Sequence, residues 1–303
     1  MALPSTTAAP ASSNLAGIGL MLLGIFVFAL NDALGKWLVA TYSVGQLLLI
    51  RSGAALVLLL PLIWRDRATF AAAPRPWFQV LRGVFATFEV ACFYWALTDL
   101  PLADVMTFYL AGPIYVTAMS PFLLGEQVGW RRWAAVVIGF VGVMIALNPT
   151  GAAFSAASWI AIAGSFSFSL LMICTRLVRG TSDTVLVTTQ TVMALLFGMV
   201  IAPFTWTPIT WSALDLWLLL LLGVTAMGAH MCINRALKVA PASVVVPYQY
   251  STIVWAVILG YIFFGDVPGW GIIAGAAIII GAGIYIFMRE RGLAKTVALA
   301  DPP

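Results

Sequence analysis

Charge is what this chain has least of. Of 303 residues only 9% are Asp, Glu, Lys or Arg, while 62% are hydrophobic. No soluble domain of that size covers such a core with so little polar surface. Histidine occurs once, as His230, and cysteine three times, as Cys92, Cys174 and Cys232, each inside an apolar run and none close to another. That usage supports neither a disulfide framework nor a metal site, and no cofactor is expected. The chain also lacks a phosphate-binding loop, a Gly-x-Ser-x-Gly elbow, an HExxH helix and any span with two carboxylates at catalytic spacing. An ATP-driven pump and an intramembrane enzyme are therefore disfavoured. The net charge of +4 sits at the ends of apolar runs rather than on one face, so nucleic acid is not an expected partner. Residues 1–14 have no basic region and no apolar core of a signal peptide, and read as a short disordered tail.

What is present is apolar sequence in runs of about 20, the length that crosses a hydrocarbon layer of about 30 Å. The alternation of a β-barrel is missing, so the expected fold is an all-α integral membrane protein. Ten transmembrane helices fit, at roughly 15–40, 44–64, 77–98, 103–124, 132–147, 158–179, 185–206, 214–237, 242–264 and 270–288. Thirteen of the 15 Lys and Arg residues fall on one side of that layout, Lys36 and Arg51 being the exceptions. Both termini are then cytoplasmic, with 289–303 as a cytoplasmic tail.

The sequence is written twice. Ala96-Leu97, Pro101, Val105, Gly125 and Gly129-Trp130 recur 140 residues later as Ala236-Leu237, Pro241, Val245, Gly265 and Gly269-Trp270. The same offset matches Gly24 with Gly164, Lys36 with Arg176, Tyr115 with Trp255, and Glu126 with Asp266. Five spans is an odd number, so residues 158–288 repeat 15–148 with inverted topology. Two inverted five-helix units around a central cavity are a transporter architecture, with the binding site near the midplane.

Glu89, in the middle of span three, is the first candidate for that site, because a carboxylate there must meet a wet cavity, a partner or a proton. Phe85, Glu89 and Phe93 share one helix face. His230 sits one residue from the repeat mate of Glu89, and Asn234 lies one turn further; both approach the same cavity or serve packing. Tyr109, Tyr248 and Tyr250 offer rings and hydroxyls to a zwitterion, against a plain packing role. Gly112, Pro113 and Pro247 interrupt their helices and mark kinks, with gating as the functional reading. Asp32 and Arg51 lie at similar depth and are expected to form a structural ion pair, Lys36 being the other partner for Asp32; an outer gate is the alternative. Small residues line spans five and ten, including Gly271 and Gly275 at GxxxG spacing, as a rigid support or the contact of a homodimer.

The paired Ala-Leu…Pro and Gly-Glu/Asp…Gly-Trp segments resemble the drug/metabolite transporter superfamily in its EamA-type, ten-span form, over 15–288. Within it, Phe88-Glu89, Tyr109 and Phe168 resemble YddG-type exporters of aromatic and other neutral amino acids, although Ala111 stands where a further aromatic belongs. The resemblance implies that Tyr109 and Phe168 line the substrate cavity of a carrier in a bacterial inner membrane, with Phe88 a further candidate beside Glu89. Amino-acid export by alternating access is the expected function. A nucleoside, a cofactor precursor or a drug-like cation is the alternative substrate, and a non-transporting scaffold or receptor the alternative class.

Overall fold

The structure is a computed structural model and describes residues 11–71, 73, 75–125, 129–147, 155–178, 180–208, 213–239 and 245–300. Among these residues every regular element is helical. The first half comprises α1 (Ala11–Val39), α2 (Val44–Arg65), the short α3 (Arg67–Ala71), α4 (Pro76–Leu97), α5 (Leu102–Tyr109), α6 (Gly112–Leu123) and α7 (Trp130–Leu147). The second comprises α8 (Ala156–Leu177), α9 (Asp183–Ile201), α10 (Ala213–Val239), a 3-10 segment Val246–Ser251, α11 (Thr252–Phe264) and α12 (Trp270–Ala300). Glu126 lies outside the described residues, as do the side chains of Arg176, Asn234 and Pro247.

Seven stretches are long and apolar enough to cross a membrane: Leu15–Val39, Val44–Arg65, Pro76–Leu97, Leu102–Leu123, Ala156–Thr175, Asp183–Phe204 and Leu214–Ile233. A 22-residue helix is about 33 Å long at 1.5 Å per residue. Three shorter apolar helices, Trp133–Ala146, Tyr248–Phe264 and Trp270–Tyr285, occupy the other places where spans are expected. Serines start three of the helices: Ser43 caps α2 in a capping box with Gln46, Ser155 caps α8 and Ser182 caps α9.

Both chain ends depart from the sequence expectation. Helix α1 begins at Ala11, inside the segment read as a disordered tail, and α12 continues to Ala300 rather than stopping near Met288. The Arg, Glu, Leu, Ala and Lys residues after Met288 are strong helix formers, so nothing local ends the helix there. Span four is not merely kinked but broken, with a turn at Leu110-Ala111 between α5 and α6. Pro113 has no N–H to carry a continuous ladder across that point. At the 140-residue offset the second half has its own irregularity, the 3-10 segment Val246–Ser251.

The helices pack across the halves rather than within them. Helix α1 lies along α10, α4 along α8, α2 along α9 and α7 along α12. Individual contacts come in pairs that exchange the halves. Gly24 abuts Cys232, and their mates at the 140-residue offset, Gly164 and Cys92, abut each other. Phe26 packs on Trp255, and the mates Phe166 and Tyr115 likewise form a ring pair. The small residues of spans five and ten are used inside the chain: Gly142 and Gly275 face one another, with Ala146 beside them.

The interior is closed by Tyr94, Phe108, Met21, Leu47, Leu102, Leu219 and Ile279, all but inaccessible. The outside is apolar, as a lipid-facing surface must be, with Trp64, Trp77, Trp130 and Trp270 exposed at helix ends.

Candidate functional site

Asp32 on α1, Arg51 on α2 and Glu89 on α4 are charged side chains well inside the spans. The expected Asp32–Arg51 ion pair does not form. No nitrogen of Arg51 lies within 4.0 Å of either carboxylate, and Lys36 pairs instead with Asp266 at 2.5 Å. The cause is Tyr94. Its hydroxyl accepts a hydrogen bond from Arg51 Nη1 at 2.7 Å, and its ring centroid lies 5.5 Å from the guanidinium carbon. Gly35 on α1 makes room for this ring, because any side chain there would run into it.

The three groups are thus held close without satisfying one another. Asp32, Arg51 and Glu89 act on each other electrostatically. Yet neither carboxylate accepts a hydrogen bond from the described residues, and among them Arg51 bonds through one of its five guanidinium N–H groups. Their polar atoms are not among those sealed from solvent without a partner. A charge at the centre of a span costs about 3 kcal/mol on the insertion scale, so three unpaired ones cost on the order of 9 kcal/mol against lipid. All three side chains are accordingly only partly buried.

Around Glu89 the aromatics are ordered. Tyr109 Oη donates to the Glu89 carbonyl oxygen at 2.9 Å, tying α5 to α4. Its hydroxyl proton is thereby used by the backbone, and what Tyr109 can offer a ligand is its ring. Phe93 is buried and meets Tyr109 and Tyr94 edge-on, at 5.3 and 5.5 Å between centroids. Phe93 therefore backs the wall instead of fronting it. Phe88, on the adjoining face, is 47% exposed, and Phe85 is half-buried.

From the second half, His230 reaches the same region. Its Nδ1 donates to the Ala226 carbonyl at 2.8 Å, which fixes the tautomer and leaves Nε2 without a partner among the described residues. The ring stands edge-on to Phe28, one turn before Asp32, and lies within the field of Arg51. Phe168 packs against Gly112 and fills the break between α5 and α6. Tyr250 turns its hydroxyl onto Gly283 of α12, toward the peripheral helix rather than the centre, while Tyr248 is 38% exposed. Asn234 and Pro247 fall in helical turns, but their side chains are outside the described residues. His230 thus lies within the field of Arg51, whereas Tyr250 points toward α12.

Several residues escaped the sequence reading. Asn31 is buried and donates to the Leu222 carbonyl at 2.6 Å and to Thr225 Oγ1 at 2.8 Å, clasping α1 to α10. A lone amide beside Asp32 in an apolar run was the signal. Ser165 and Ser169, one turn apart on α8, donate to the carbonyls of Phe108 and Gly112 at 2.8 and 3.1 Å. These carbonyls flank the break, so the two serines tie α8 to both sides of it. Ser167, on another face, donates to the Phe85 carbonyl at 2.9 Å. The alternation Gly164-Ser-Phe-Ser-Phe-Ser169 announces them. Arg82, placed at the membrane edge by the sequence, is buried, with bonds to Thr175 Oγ1 at 2.8 Å and the Leu186 carbonyl at 3.0 Å.

A separate, open crevice between α6, α7 and α8 is lined by Tyr115, Phe140, Trp159, Ile162, Ala163 and Phe166. It holds no charged side chain and is apart from the polar cluster.

The chain matches the EamA-like transporter family over residues 15–148 and again over 155–289. It belongs to that family, and is a multi-pass membrane transporter of the drug/metabolite transporter superfamily. Among curated relatives it is 27% identical over 277 residues to an S-adenosylmethionine uptake transporter of Rickettsia prowazekii, covering 91% of this chain and 93% of that protein. It is 27% identical over 290 residues to a riboflavin transporter of Vibrio cholerae, covering 90% and 96%. It is 25% identical over 283 residues to the pseudopaline exporter CntI of Pseudomonas aeruginosa, covering 91% and 97%. The names of these relatives include both uptake and export, and none is an amino-acid exporter.

Proposed function

We propose that this member of the EamA-like family carries a small cationic metabolite with an amino-acid head group and an aromatic body, of which S-adenosylmethionine is the leading example. The observation that carries the reading is the trio of charges Asp32, Arg51 and Glu89, which act on one another without forming a salt bridge. Two carboxylates against one guanidinium leave one negative charge in excess, which favours an occupant of net charge +1. S-adenosylmethionine has that charge: an ammonium and a sulfonium against one carboxylate. Arg51, steadied by Tyr94, offers its free N–H groups to the carboxylate in the bidentate manner that suits guanidinium. Asp32 and Glu89 take the cationic groups, and the rings of Tyr109 and Phe88 suit the adenine. Riboflavin has no such head group, and would leave three buried charges unmatched.

The carrier works by alternating access in a bacterial inner membrane, through ten spans arranged as two inverted five-span units with both termini on the cytoplasmic side. The exchange-related contacts of Gly24, Gly164, Phe26 and Phe166 support the repeat. Export of neutral or aromatic amino acids is the second reading, favoured by the edge-on Phe93–Tyr109 pair beside Glu89.

Counterflow in proteoliposomes separates the two. Radiolabelled S-adenosylmethionine is expected to exchange saturably, to be competed weakly by S-adenosylhomocysteine, which lacks the sulfonium charge, and not by phenylalanine. Absence of saturable S-adenosylmethionine exchange beside brisk phenylalanine exchange rejects the first reading in favour of the second.

A further inference from the structure

The end of α1 carries an ion pair that substrate binding does not use. Lys36, in the last turn, meets Asp266 at 2.5 Å, with side chains 13% and 21% exposed. Its ammonium also lies 4.5 Å from the ring centroid of Phe264. Asp266 is aimed there by the backbone. Gly265 adopts φ +68°, and the N–H groups of Gly265 and Asp266 bond back to the carbonyls of Tyr261 and Gly260, closing α11 in a left-handed cap that glycine enters without strain. Gly125, the mate of Gly265, has φ +67°. The sequence also places Arg176 and Glu126 at the mates of Lys36 and Asp266, again one base and one acid. A chance surface pair has no reason to be written twice.

A third group stands by. Asp104, in the first turn of α5, lies within the field of both Lys36 and Asp266, and its Oδ1 is buried with no hydrogen-bond partner among the described residues. A buried carboxylate oxygen left unsatisfied is costly and calls for an explanation. It is explained if the oxygen receives a donor in another conformation.

We propose that Lys36 is a two-seat latch: bound to Asp266 it holds α1 against the end of α11, and moving to Asp104 it releases that end of the molecule so that the central site opens there. Three helices meet at the latch, since α11 packs on both α1 and α5. Movement of one lysine between two acids gives discrete states rather than a continuous drift. The inference rests on the chain being a carrier, but not on which solute it carries.

The test reads geometry, independently of transport. Spin labels are placed at the exposed positions Trp37→Cys and Val267→Cys, in a chain carrying Cys92→Ala, Cys174→Ala and Cys232→Ala, and the distance distribution is measured in lipid nanodiscs. The parent is expected to show a dominant short separation. Asp266→Asn should raise the population of a longer one roughly tenfold, a usual size for coupling between states. Asp104→Asn should deplete the longer one, and exchanging the charges, Lys36→Asp with Asp266→Lys, should restore the short one. Distributions unchanged by both Asp266→Asn and Asp104→Asn overturn the latch, as does an exchanged pair that behaves like Asp266→Asn. A latch that responds in a chain showing no S-adenosylmethionine exchange rejects the substrate and leaves the latch standing.

Discussion

Gly164 is where one added methyl group tells most. A Cβ at this position would meet the hydroxyl of Tyr109 and the Cβ of Cys92 at 2.8 Å, well inside van der Waals contact. Cys92 sits on α4 and cannot retreat, so Gly164→Ala must push the Tyr109 ring aside. Overpacking of this kind costs roughly 1–3 kcal/mol. The displaced hydroxyl also gives up its 2.9 Å bond to the Glu89 carbonyl, worth about 0.6 kcal/mol on average between membrane helices and up to about 1.7. The sum is a destabilisation of about 2–4 kcal/mol. Tyr109→Phe alone loses only the bond, about 1 kcal/mol. In the double variant, however, the absent hydroxyl vacates the space that the new methyl group needs. The pair should therefore cost less than the sum of the singles by at least about 1 kcal/mol. Unfolding in mixed micelles, followed by tryptophan fluorescence for the four members of the cycle, measures this directly. Additive effects would refute the contact, and with it the placing of Tyr109 between α4 and α8.

Asn31→Leu removes both bonds that clasp α1 to α10, and is expected to lower stability by about 1–3 kcal/mol, read in the same unfolding assay. Ser165→Ala with Ser169→Ala deprives the broken span of its donated bonds, and should speed hydrogen exchange at residues 110–115 while leaving α12 unchanged. Outside the spans, the Arg65 guanidinium and then the Thr184 hydroxyl hold the Asp66 carboxyl below the usual carboxylate range. The α2–α9 tie through Thr184 is thus complete above the ordinary carboxylate value and is lost as pH falls through the depressed one. Hydrogen exchange at the start of α9 should rise under acid in the parent and show no such step in Asp66→Asn.

Much of the architecture was legible because bilayers impose a length. Apolar runs of about 20 residues can only be spanning helices, and the repeat mates Gly125 and Gly265 both follow a helix at positive φ. The interruption of span four was legible from Gly112-Pro113, though its depth was not, because proline bends or breaks a helix according to what receives the freed carbonyls. Here Ser165 and Ser169 bond to the Phe108 and Gly112 carbonyls on either side of it. Charge pairing was the part that sequence misread. Depth alone made Asp32 and Arg51 partners, and nothing in a linear sequence shows that Tyr94 and Gly35 would bring a hydroxyl to the guanidinium first. The 3-10 winding of Val246–Ser251 was not legible either, and in it the Tyr250 hydroxyl comes against Gly283.

The central proposal is that Asp32, Arg51 and Glu89 form a net-negative seat for a cation bearing a carboxylate. Isothermal titration of S-adenosylmethionine and S-adenosylhomocysteine against the purified chain, and against Glu89→Gln and Arg51→Gln, tests it most directly. The account predicts that Glu89→Gln narrows the preference for the sulfonium compound by roughly tenfold, the size of one charged contact, while Arg51→Gln weakens both ligands alike because both carry the carboxylate. Equal affinities in the parent, or a preference that survives in Glu89→Gln undiminished, would contradict it.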